Sequence, residues 1–294
     1  MRSGFVCIAG RPNVGKSTLL NSLIGEKVAI TADKPQTTRN RIRGIYSGEG
    51  IQVVFIDTPG ITRAKNKLGE YMAEAALGAF ADVDLILFIT CEKPGEKGGD
   101  RFILDRLAGT KIPKIAVINK IDTMSPDEFR DVYEAYEETG LFNEVAGISA
   151  LTGHGVERLM ENISAYIGEG PAFFPEGMIT DRPERFLASE IIREKALRYL
   201  GDEVPHGVAI EIESFEEKPS LTRISAVIYI EKKSHKAIVI GKGGRKLKGI
   251  GKAAREEIED LLGCKVYLSL WVKVREKWRD SDLALASLGY GGRD

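Results

Sequence analysis

Apolar and polar residues alternate along the first 170 residues in a pattern that is typical of a mostly parallel α/β sheet. Short apolar runs predict strands at Phe5–Ala9, Ile42–Tyr46, Ile51–Ile56, Val83–Thr90, Lys114–Ile118 and Glu144–Ile148. Apolar residues at helical spacing predict helices near Lys16–Ile24, Leu68–Ala81, Asp100–Leu107, Asp127–Glu138 and Val156–Ile167. Because strands and helices alternate, we expect βαβ units with helices on both faces of the sheet.

Two local signals refine this pattern. The strands Ile42–Tyr46 and Ile51–Ile56 are separated by the turn-forming segment Ser47–Gly50, which predicts an antiparallel hairpin at one edge of the sheet. Ser125 and Glu128 have the spacing of a capping box, so we expect a helix to begin there.

The pattern changes after residue 170. Glycine, proline and aromatic residues without periodicity, among them Phe173 and Phe174, predict an ordered linker over residues 171–184. Beyond it, helix and strand patterns lie at Phe186–Leu200, Val208–Ser214, Arg223–Glu231, Lys236–Leu262 and Lys265–Val274, and a short helix is expected within Ser281–Gly289. The sequence therefore predicts an α/β domain over residues 1–170 and a smaller α+β domain over residues 185–294.

Charge is distributed unevenly, although the chain of 294 residues is nearly neutral as a whole. Residues 1–184 carry 21 basic and 26 acidic side chains, whereas residues 185–294 carry 21 and 17. A basic second domain favours a polyanionic partner. The three cysteines are far apart, and no apolar stretch approaches 18 residues. We therefore expect reduced thiols in a cytoplasmic protein without a membrane-spanning helix.

The strongest candidate for chemistry is a glycine-framed loop between the first predicted strand and the first predicted helix. Its residues are Gly10, Arg11, Pro12, Asn13, Val14, Gly15, Lys16, Ser17 and Thr18. Backbone N–H groups around the glycines, together with the positive end of the helix, can cradle phosphate groups. We expect Lys16 to contact the β- and γ-phosphates and the Ser17 hydroxyl to bind Mg²⁺. This phosphate-binding loop predicts a nucleoside triphosphate site.

A second element follows the strand Ile51–Ile56. It consists of Asp57, Thr58, Pro59 and Gly60. An aspartate at a strand end near the phosphate loop is placed to hold Mg²⁺ through its water shell. The backbone N–H of Gly60 can then sense the γ-phosphate.

Two further strand ends predict the base. Asn119, Lys120 and Asp122 follow the strand Lys114–Ile118, and Ser149, Ala150 and Leu151 follow the next strand. The Asp122 carboxylate can accept hydrogen bonds from N1–H and the exocyclic amine of guanine, which adenine cannot donate in that arrangement. A backbone N–H near Ala150 can contact the guanine oxygen. The predicted base is guanine.

The second domain carries a candidate site of its own, because the segment Lys232–Arg255 holds nine basic residues and no acidic residue. Within it, an apolar helix ends in Gly-x-x-Gly and a new helix begins near Arg245. The residues that we expect to contact nucleic acid are Ile238, Ile240, Gly241, Lys242, Gly243, Gly244, Arg245, Lys246 and Lys248. This arrangement resembles the clamp of a type II KH domain, which holds about four single-stranded nucleotides. A solvated turn between two helices is the alternative.

The two tryptophans could stack on bases or pack in the core. Trp271 alternates with apolar neighbours in a strand, so we expect it in the core. Trp278 lies between Lys277 and Arg279, and its role stays open.

The phosphate loop has the residue pattern of the Era and Der branch of translation-factor-related GTPases. A GTPase domain followed by a type II KH domain resembles the layout of the Era family, whereas a Der-type protein would have a second phosphate loop. The resemblance implies that Gln36–Arg39 is the first switch. It also implies that Thr38, with Thr37 as the alternative, binds Mg²⁺ and senses the γ-phosphate.

The resemblance also bears on mechanism. Ile61 stands where Ras-like enzymes carry a water-orienting glutamine, and an isoleucine cannot orient water. Asn13 corresponds to a residue that helps hold a potassium ion in related GTPases; the alternative is that it is only a turn former. We therefore expect slow hydrolysis that K⁺ stimulates more than Na⁺, with Asn13, Lys16, Thr38 and Gly60 as the catalytic set.

Membership of the Era family would imply binding to the 3′ end of 16S ribosomal RNA and a role in 30S subunit assembly and rRNA maturation. It would also imply a cytoplasmic location with peripheral association at the inner membrane. The alternative is a membrane-associated regulatory GTPase without an RNA target, in which the basic stretch binds lipid. A metabolic GTP-using enzyme is disfavoured because the sequence offers no convincing acid–base constellation.

Overall fold

The computed structural model describes residues 1–34, 36–61, 64–95, 98–201 and 203–291. The chain divides into two compact units. The first comprises Met1–Thr31, Thr38–Lys65 and Gly69–Asp181, and the second comprises Ala32–Thr37, Asn66–Leu68 and Arg182–Asp294.

The N-terminal part of the chain forms an α/β sheet. Its strands are β1 (Arg2–Gly10), β2 (Ile42–Gly48), β3 (Ile51–Asp57), β4 (Leu85–Thr90), β5 (Lys114–Ile118) and β6 (Glu144–Gly147). Its helices are α1 (Lys16–Ile24), α2 (Lys67–Gly78), α3 (Gly98–Ala108), α4 (Pro126–Glu138) and α5 (Val156–Tyr166). The described strands lie in the order β2-β3-β1-β4-β5-β6, where β2 is antiparallel to β3 and the other pairs are parallel. The predicted hairpin and the mostly parallel sheet are therefore both confirmed.

Alternate residues of β1 show why helices cover both faces of this sheet. Val6 and Ile8 lie in one hydrophobic core, which also contains Leu19 of α1 and Leu159 of α5. Their neighbour Cys7 lies in a second core, together with residues of α2, α3 and α4. Since successive side chains of a strand point to opposite faces, a strand that is apolar at every position must be covered on both sides.

The capping box forms as predicted. The Ser125 hydroxyl accepts a hydrogen bond from the Glu128 backbone N–H at 3.2 Å, and the Glu128 carboxylate accepts one from the Ser125 N–H at 2.7 Å. Helix α4 therefore begins at Pro126, at the place that the sequence indicates.

The segment after α5 belongs to the first unit and packs on its sheet. The ring centroids of Phe173 and Phe5 are 4.6 Å apart. The Gln52 side-chain oxygen accepts hydrogen bonds from the Phe173 and Phe174 N–H groups, and its nitrogen donates to the Phe174 carbonyl. Farther along, Ile179 accepts a hydrogen bond from the Ile45 N–H of β2 at 2.8 Å. These contacts order the segment, in keeping with the expectation that its aromatic residues pack.

The second unit is a smaller α+β fold. Its elements are α6 (Glu184–Tyr199), β7 (Ala209–Glu216), β8 (Leu221–Ile230), α7 (Lys233–Ile240), α8 (Arg245–Leu262), β9 (Lys265–Val274) and α9 (Asp282–Ser287). The described strands lie in the order β7-β8-β9, antiparallel in the first pair and parallel in the second. Residues of α6, α7 and α8 share one hydrophobic core with the strands. This element order agrees with the predicted type II KH domain.

The two tryptophans lie in opposite environments. Trp271 is 60 % exposed, so the expectation that it packs in the core is wrong. The physical reason is that β9 alternates between a face that meets the helices, where Val266 and Val272 are buried, and a face that meets solvent. Trp278 is instead fully buried, donates its indole N–H to the Gly207 carbonyl at 2.9 Å, and stacks on Tyr290.

No helix within the described part of the chain is long and apolar enough to cross a membrane.

Candidate nucleotide-binding and RNA-binding sites

The phosphate loop joins β1 to α1 and is held in shape by a close backbone approach. Gly15 has φ 98°, and a Cβ atom there would lie 2.2 Å from the Asn119 side-chain nitrogen. Only glycine fits this position, because a side chain would meet both the strain of positive φ and a steric clash. Val14 is buried beside it, whereas Asn13 is exposed and also has positive φ. Pro12 and Thr18 are half-buried at the two ends of the loop.

Lys16 begins α1 and is buried within the loop, with 6 % of its surface exposed. Its ammonium group donates a hydrogen bond to the Arg11 carbonyl at 2.8 Å. Burial lowers the pKa of Lys16 to about 8, while the charge of Asp57 acts in the opposite direction. A phosphate group placed beside this ammonium would favour its charged form, as a phosphate-binding lysine requires.

The side-chain oxygens of the three residues that the sequence predicts to bind Mg²⁺ lie within hydrogen-bond distance of one another. Asp57 Oδ2 accepts hydrogen bonds from Ser17 at 2.6 Å and from Thr38 at 3.2 Å, and the two hydroxyl oxygens are 2.8 Å apart. Asp57 Oδ1 is buried and has no hydrogen-bond partner among the described residues. Burial raises the pKa of Asp57 against the opposing effects of Lys16, Ser17 and Thr38. Hard oxygen ligands around a buried carboxylate suit Mg²⁺, so these residues fit the predicted ion.

The geometry separates the two candidate threonines. Thr38 is buried in the oxygen cluster, whereas the Thr37 hydroxyl donates to the Ala32 and Lys34 carbonyls at 3.1 and 2.6 Å. Thr38 is therefore the one of the pair that lies with Ser17 and Asp57.

The segment after β3 packs directly on the phosphate loop. A Cβ at Gly60 would lie 2.7 Å from the backbone nitrogen of Pro12, and the Ile61 N–H donates to the Gly10 carbonyl at 3.3 Å. Thr58 and Pro59, both buried, precede this contact. The Ile61 side chain is 1 % exposed and lies in a hydrophobic core, so it cannot contact the phosphate chain.

Asn119 connects the base-recognition elements to the phosphate loop. Its side-chain nitrogen donates to the Val14 carbonyl at 2.8 Å, and its oxygen accepts from the Ala150 N–H at 2.9 Å. The Lys120 ammonium donates to the Asn13 carbonyl at 2.8 Å. Three separate chain segments are thus fixed relative to one another by two side chains.

A cavity of about 440 Å³ opens between the two loops that the sequence predicts for guanine. Asp122 and Ser149 line it, and Ser149 is buried while Asp122 is exposed. Leu151 lies nearby in the chain but is 80 % exposed. The cavity has further lining residues that were not predicted, namely Met124, Phe129, Thr152 and His154. Proximity to the Asn-Lys-x-Asp motif and to Ser149 in the chain is the signal that could have identified them.

The glycine loop of the second unit is open on its outer side. Gly243 and Gly244 have φ 61° and 75°, and a Cβ at either position would meet no atom within 4 Å. Gly241 differs, because a Cβ there would lie 2.7 Å from the Lys246 Cβ. The loop therefore combines a tight turn at its start with free space at its tip, where another backbone can approach.

The basic side chains around this loop have few carboxylates near them among the described residues. Among the described residues, Lys252 has a carboxylate at 3.8 Å, and the other eight basic residues of the stretch have none within 4.0 Å. Lys242, Arg245 and Lys248 are exposed, and Lys246 is half-buried. A dense set of uncompensated cations favours a polyanion.

Ile238 and Ile240 do not form one surface. Ile238 is 43 % exposed, whereas Ile240 packs against the hydrophobic core. The two residues are two positions apart on a helix, which rotates one side chain about 200° from the other around the helix axis and places them on nearly opposite sides. Of these two residues predicted to contact nucleic acid, Ile238 therefore has its side chain exposed, whereas that of Ile240 is engaged with the core.

The three cysteines, all in the described part of the chain, form no disulfide; Cys7 is buried, and Cys91 and Cys264 are partly buried. In the part of the chain that the structure describes, no group of three or more histidine, cysteine, aspartate or glutamate residues could hold a metal ion.

Comparisons with known proteins agree with this geometry. The model of the 50S ribosome-binding GTPase family matches residues 5–120, and the KH domain model matches residues 203–279. GTPase Era of Alkaliphilus metalliredigens is 54 % identical over 291 residues, which is 98 % of this chain and 99 % of that protein. GTPase Era of Clostridioides difficile is 53 % identical over 295 residues, covering 99 % of both.

Two solved structures are also similar over the full length. One is a crystal structure of Era in complex with MgGDPNP and nucleotides 1506–1542 of 16S ribosomal RNA, and the other is a point variant of Aquifex aeolicus Era bound to GDP·AlF₄⁻. Each has a TM-score of 0.94 and 40 % sequence identity, and each match covers 99 % of this chain and 100 % of the other.

Proposed function

The chain belongs to the GTPase Era family, and on that premise we propose that it is a GTP-hydrolysing switch that binds the 3′ end of 16S ribosomal RNA during 30S subunit assembly and rRNA maturation. One observation supports the proposed binding of RNA. The open glycine loop and its uncompensated lysines occur in a chain that is 40 % identical to an Era structure containing that RNA. The GTPase family that matches the first domain is named for binding the 50S subunit. The RNA in the similar Era structure is 16S ribosomal RNA, however, and this favours the 30S subunit as the partner.

In the proposed site, the phosphate loop Gly10–Thr18 holds the phosphates with its backbone, and Lys16 contacts the β- and γ-phosphates. Ser17, Thr38 and Asp57 would hold Mg²⁺, which would offset part of the negative charge of those phosphates. The Gly60 N–H contacts the γ-phosphate. The buried Ile61 leaves hydrolysis without a water-orienting side chain from this position, so intrinsic turnover is slow.

We assign base recognition to Asp122, with Ser149, Ala150 and Leu151 around the base and the Asn119 and Lys120 side chains fixing the surrounding loops. Asn13 is exposed at the phosphate loop, and we propose that it helps hold K⁺. A bound K⁺ would supply further positive charge beside the phosphates.

In the second unit, the loop Gly241–Gly244 lets an RNA backbone approach, and Lys242, Arg245, Lys246 and Lys248 neutralise its phosphates. The division into a GTPase domain at 1–170, a linker at 171–184 and a KH domain at 185–294 belongs to the same proposal. So do a cytoplasmic location and peripheral association with the inner membrane.

RNA binding is tested by titrating the full chain with the RNA equivalent to nucleotides 1506–1542, with a scrambled RNA of equal length, and with vesicles containing phosphatidylserine. We expect the cognate RNA to bind at least about tenfold more tightly than the scrambled RNA. Equal binding of the two RNAs, or binding to vesicles alone, would contradict the proposal, and the second result would favour a membrane-associated switch without an RNA target.

A further inference from the structure

The side chain of Arg11 is the one charged group of the phosphate loop to which the chemistry above gives no role. Its guanidinium contacts the Glu92 carboxylate through Nη2, and its Nε lies 2.8 Å from Asp100 Oδ1. Glu92 follows the end of β4, and Asp100 lies in the first turn of α3. Arg11 therefore joins the phosphate loop to two other elements of the first unit.

This junction is largely shielded from water. The Arg11 side chain is 14 % exposed and the Asp100 side chain 1 %. Burial acts to lower the pKa of Arg11, but the charges of Asp100 and Glu92 outweigh it and raise that pKa. Removing one partner from a buried ion pair leaves a charge that neither water nor protein compensates. The two carboxylates therefore constrain where the Arg11 side chain, and with it the loop, can lie.

The backbone at Arg11 and Pro12 contacts two residues, Lys16 and Gly60, that would bind the phosphates of the nucleotide. The Arg11 carbonyl accepts the hydrogen bond from the Lys16 ammonium, and the next residue, Pro12, packs against Gly60. A displacement of the turn at Arg11 would thus move the acceptor that orients Lys16 and the surface on which Gly60 rests.

We propose that Arg11 is a positioning residue for GTP binding and hydrolysis, which acts by anchoring the loop through Glu92 and Asp100 so that Lys16 and Gly60 are held where the β- and γ-phosphates bind. The inference rests on the proposed function in one respect, namely that Lys16 contacts the β-phosphate. The competing role is purely structural, in which the ion pairs add stability without shaping the phosphate site.

The decisive variant is Asp100→Asn, which preserves side-chain shape at a residue outside the nucleotide site. Affinities for fluorescent GDP and fluorescent GMP are measured on the full chain, with the single-turnover rate of GTP hydrolysis. Since misplacement of a positioned group by about 1 Å can cost a factor of up to about 100, we expect GDP affinity and the hydrolysis rate each to fall about tenfold. GMP affinity stays within about twofold of wild type, because GMP has no β-phosphate for Lys16 to contact.

Asp127→Asn is the matched control. Asp127 also lies in the first turn of a helix, but its side chain is exposed and lies 3.4 Å from Arg130 of the same helix rather than beside Arg11. We expect this variant to behave as wild type. A third variant, Arg11→Lys, keeps the charge but cannot span both carboxylates, and it should show the same selective loss of GDP affinity.

Equal losses of GDP and GMP affinity in Asp100→Asn would overturn the proposal, because they would indicate general damage to the unit. Unchanged affinities and rate would also overturn it. Failure of the proposed function looks different, since the wild-type chain itself would then bind GMP and GDP equally or not hydrolyse GTP.

Discussion

The proposed nucleotide site and the proposed RNA clamp of this chain (the loop Gly241–Gly244 with the basic residues around it) are built in opposite ways. In the nucleotide site, the polar side chains of Lys16, Asp57 and Asn119 are buried, and each is already held by a hydrogen bond within the protein. In the clamp, Lys242 and Lys248 are exposed without a carboxylate nearby among the described residues, and the glycines at the loop tip face open space.

This difference predicts different ligand behaviour. A site of buried, oriented groups discriminates by geometry, because a ligand that lacks the right donors leaves them unsatisfied. A site of exposed cations binds through the release of counterions, so its affinity depends strongly on salt and weakly on fine geometry. The two sites can therefore be separated by variants that change either geometry or charge.

The largest expected effect is a change of base specificity in Asp122→Asn. The amide cannot accept both hydrogen bonds from guanine, so GTP affinity should fall by about 10⁴-fold, while xanthosine triphosphate, whose base offers an acceptor in place of the amine, should bind more tightly than GTP. Competition against fluorescent GDP measures both. An equal loss for the two nucleotides would show that Asp122 does not read the base.

The next effect concerns the clamp. Gly243→Asp places a negative charge and a strained side chain where RNA approaches, so RNA affinity should fall about a hundredfold while GTP hydrolysis without RNA stays unchanged. Gly263→Asp is the matched control, because Gly263 has a similar φ of 64° and open space around it but ends α8 away from the loop. If both variants lost RNA binding equally, the loss would reflect folding strain and the clamp assignment would be wrong.

A smaller effect is expected for the potassium dependence of hydrolysis. Asn13→Ala should abolish most of the difference between single-turnover rates in K⁺ and in Na⁺, a difference that we expect to be about tenfold in the wild type. Equal wild-type rates in the two salts would contradict a role for K⁺, and an unaltered difference in the variant would leave Asn13 as a turn former.

The smallest effect separates the two sites by salt alone. Lys248→Gln removes one exposed cation, so the slope of log RNA affinity against log salt should become less steep by about 0.7, the value for one phosphate contact on a single strand. GDP affinity, measured over the same salt range, should be the same in variant and wild type. An unchanged RNA slope would place Lys248 outside the interface.

The sequence predicted most of what depends on local pattern. The strands, the hairpin at the sheet edge and the start of α4 at Pro126 follow from periodicity, turn residues and the Ser125–Glu128 box, each of which acts over a few residues. The nucleotide motifs could be identified in the same way. Parallel strands end at the same edge of a sheet, so motifs that follow those strands come together.

Features that depend on distant neighbours could not be predicted. Trp271 sits in a strand whose apolar alternation suggests burial, but only the assembled unit reveals that helices cover the other face of its sheet. The Arg11 ion pairs join residues more than eighty positions apart in the chain, and no spacing rule connects them.

A GTP-hydrolysing switch of the kind proposed requires that the nucleotide bound in the first unit change the RNA affinity of the clamp. The most direct test titrates the 3′-end RNA against the full chain loaded either with GDP or with a non-hydrolysable GTP analogue. We expect RNA affinities that differ by at least about fivefold between the GDP-bound and the analogue-bound chain. By linkage, RNA must then change the ratio of the affinities for the two nucleotides by the same factor. Identical RNA affinities in the two states would contradict the proposed switch.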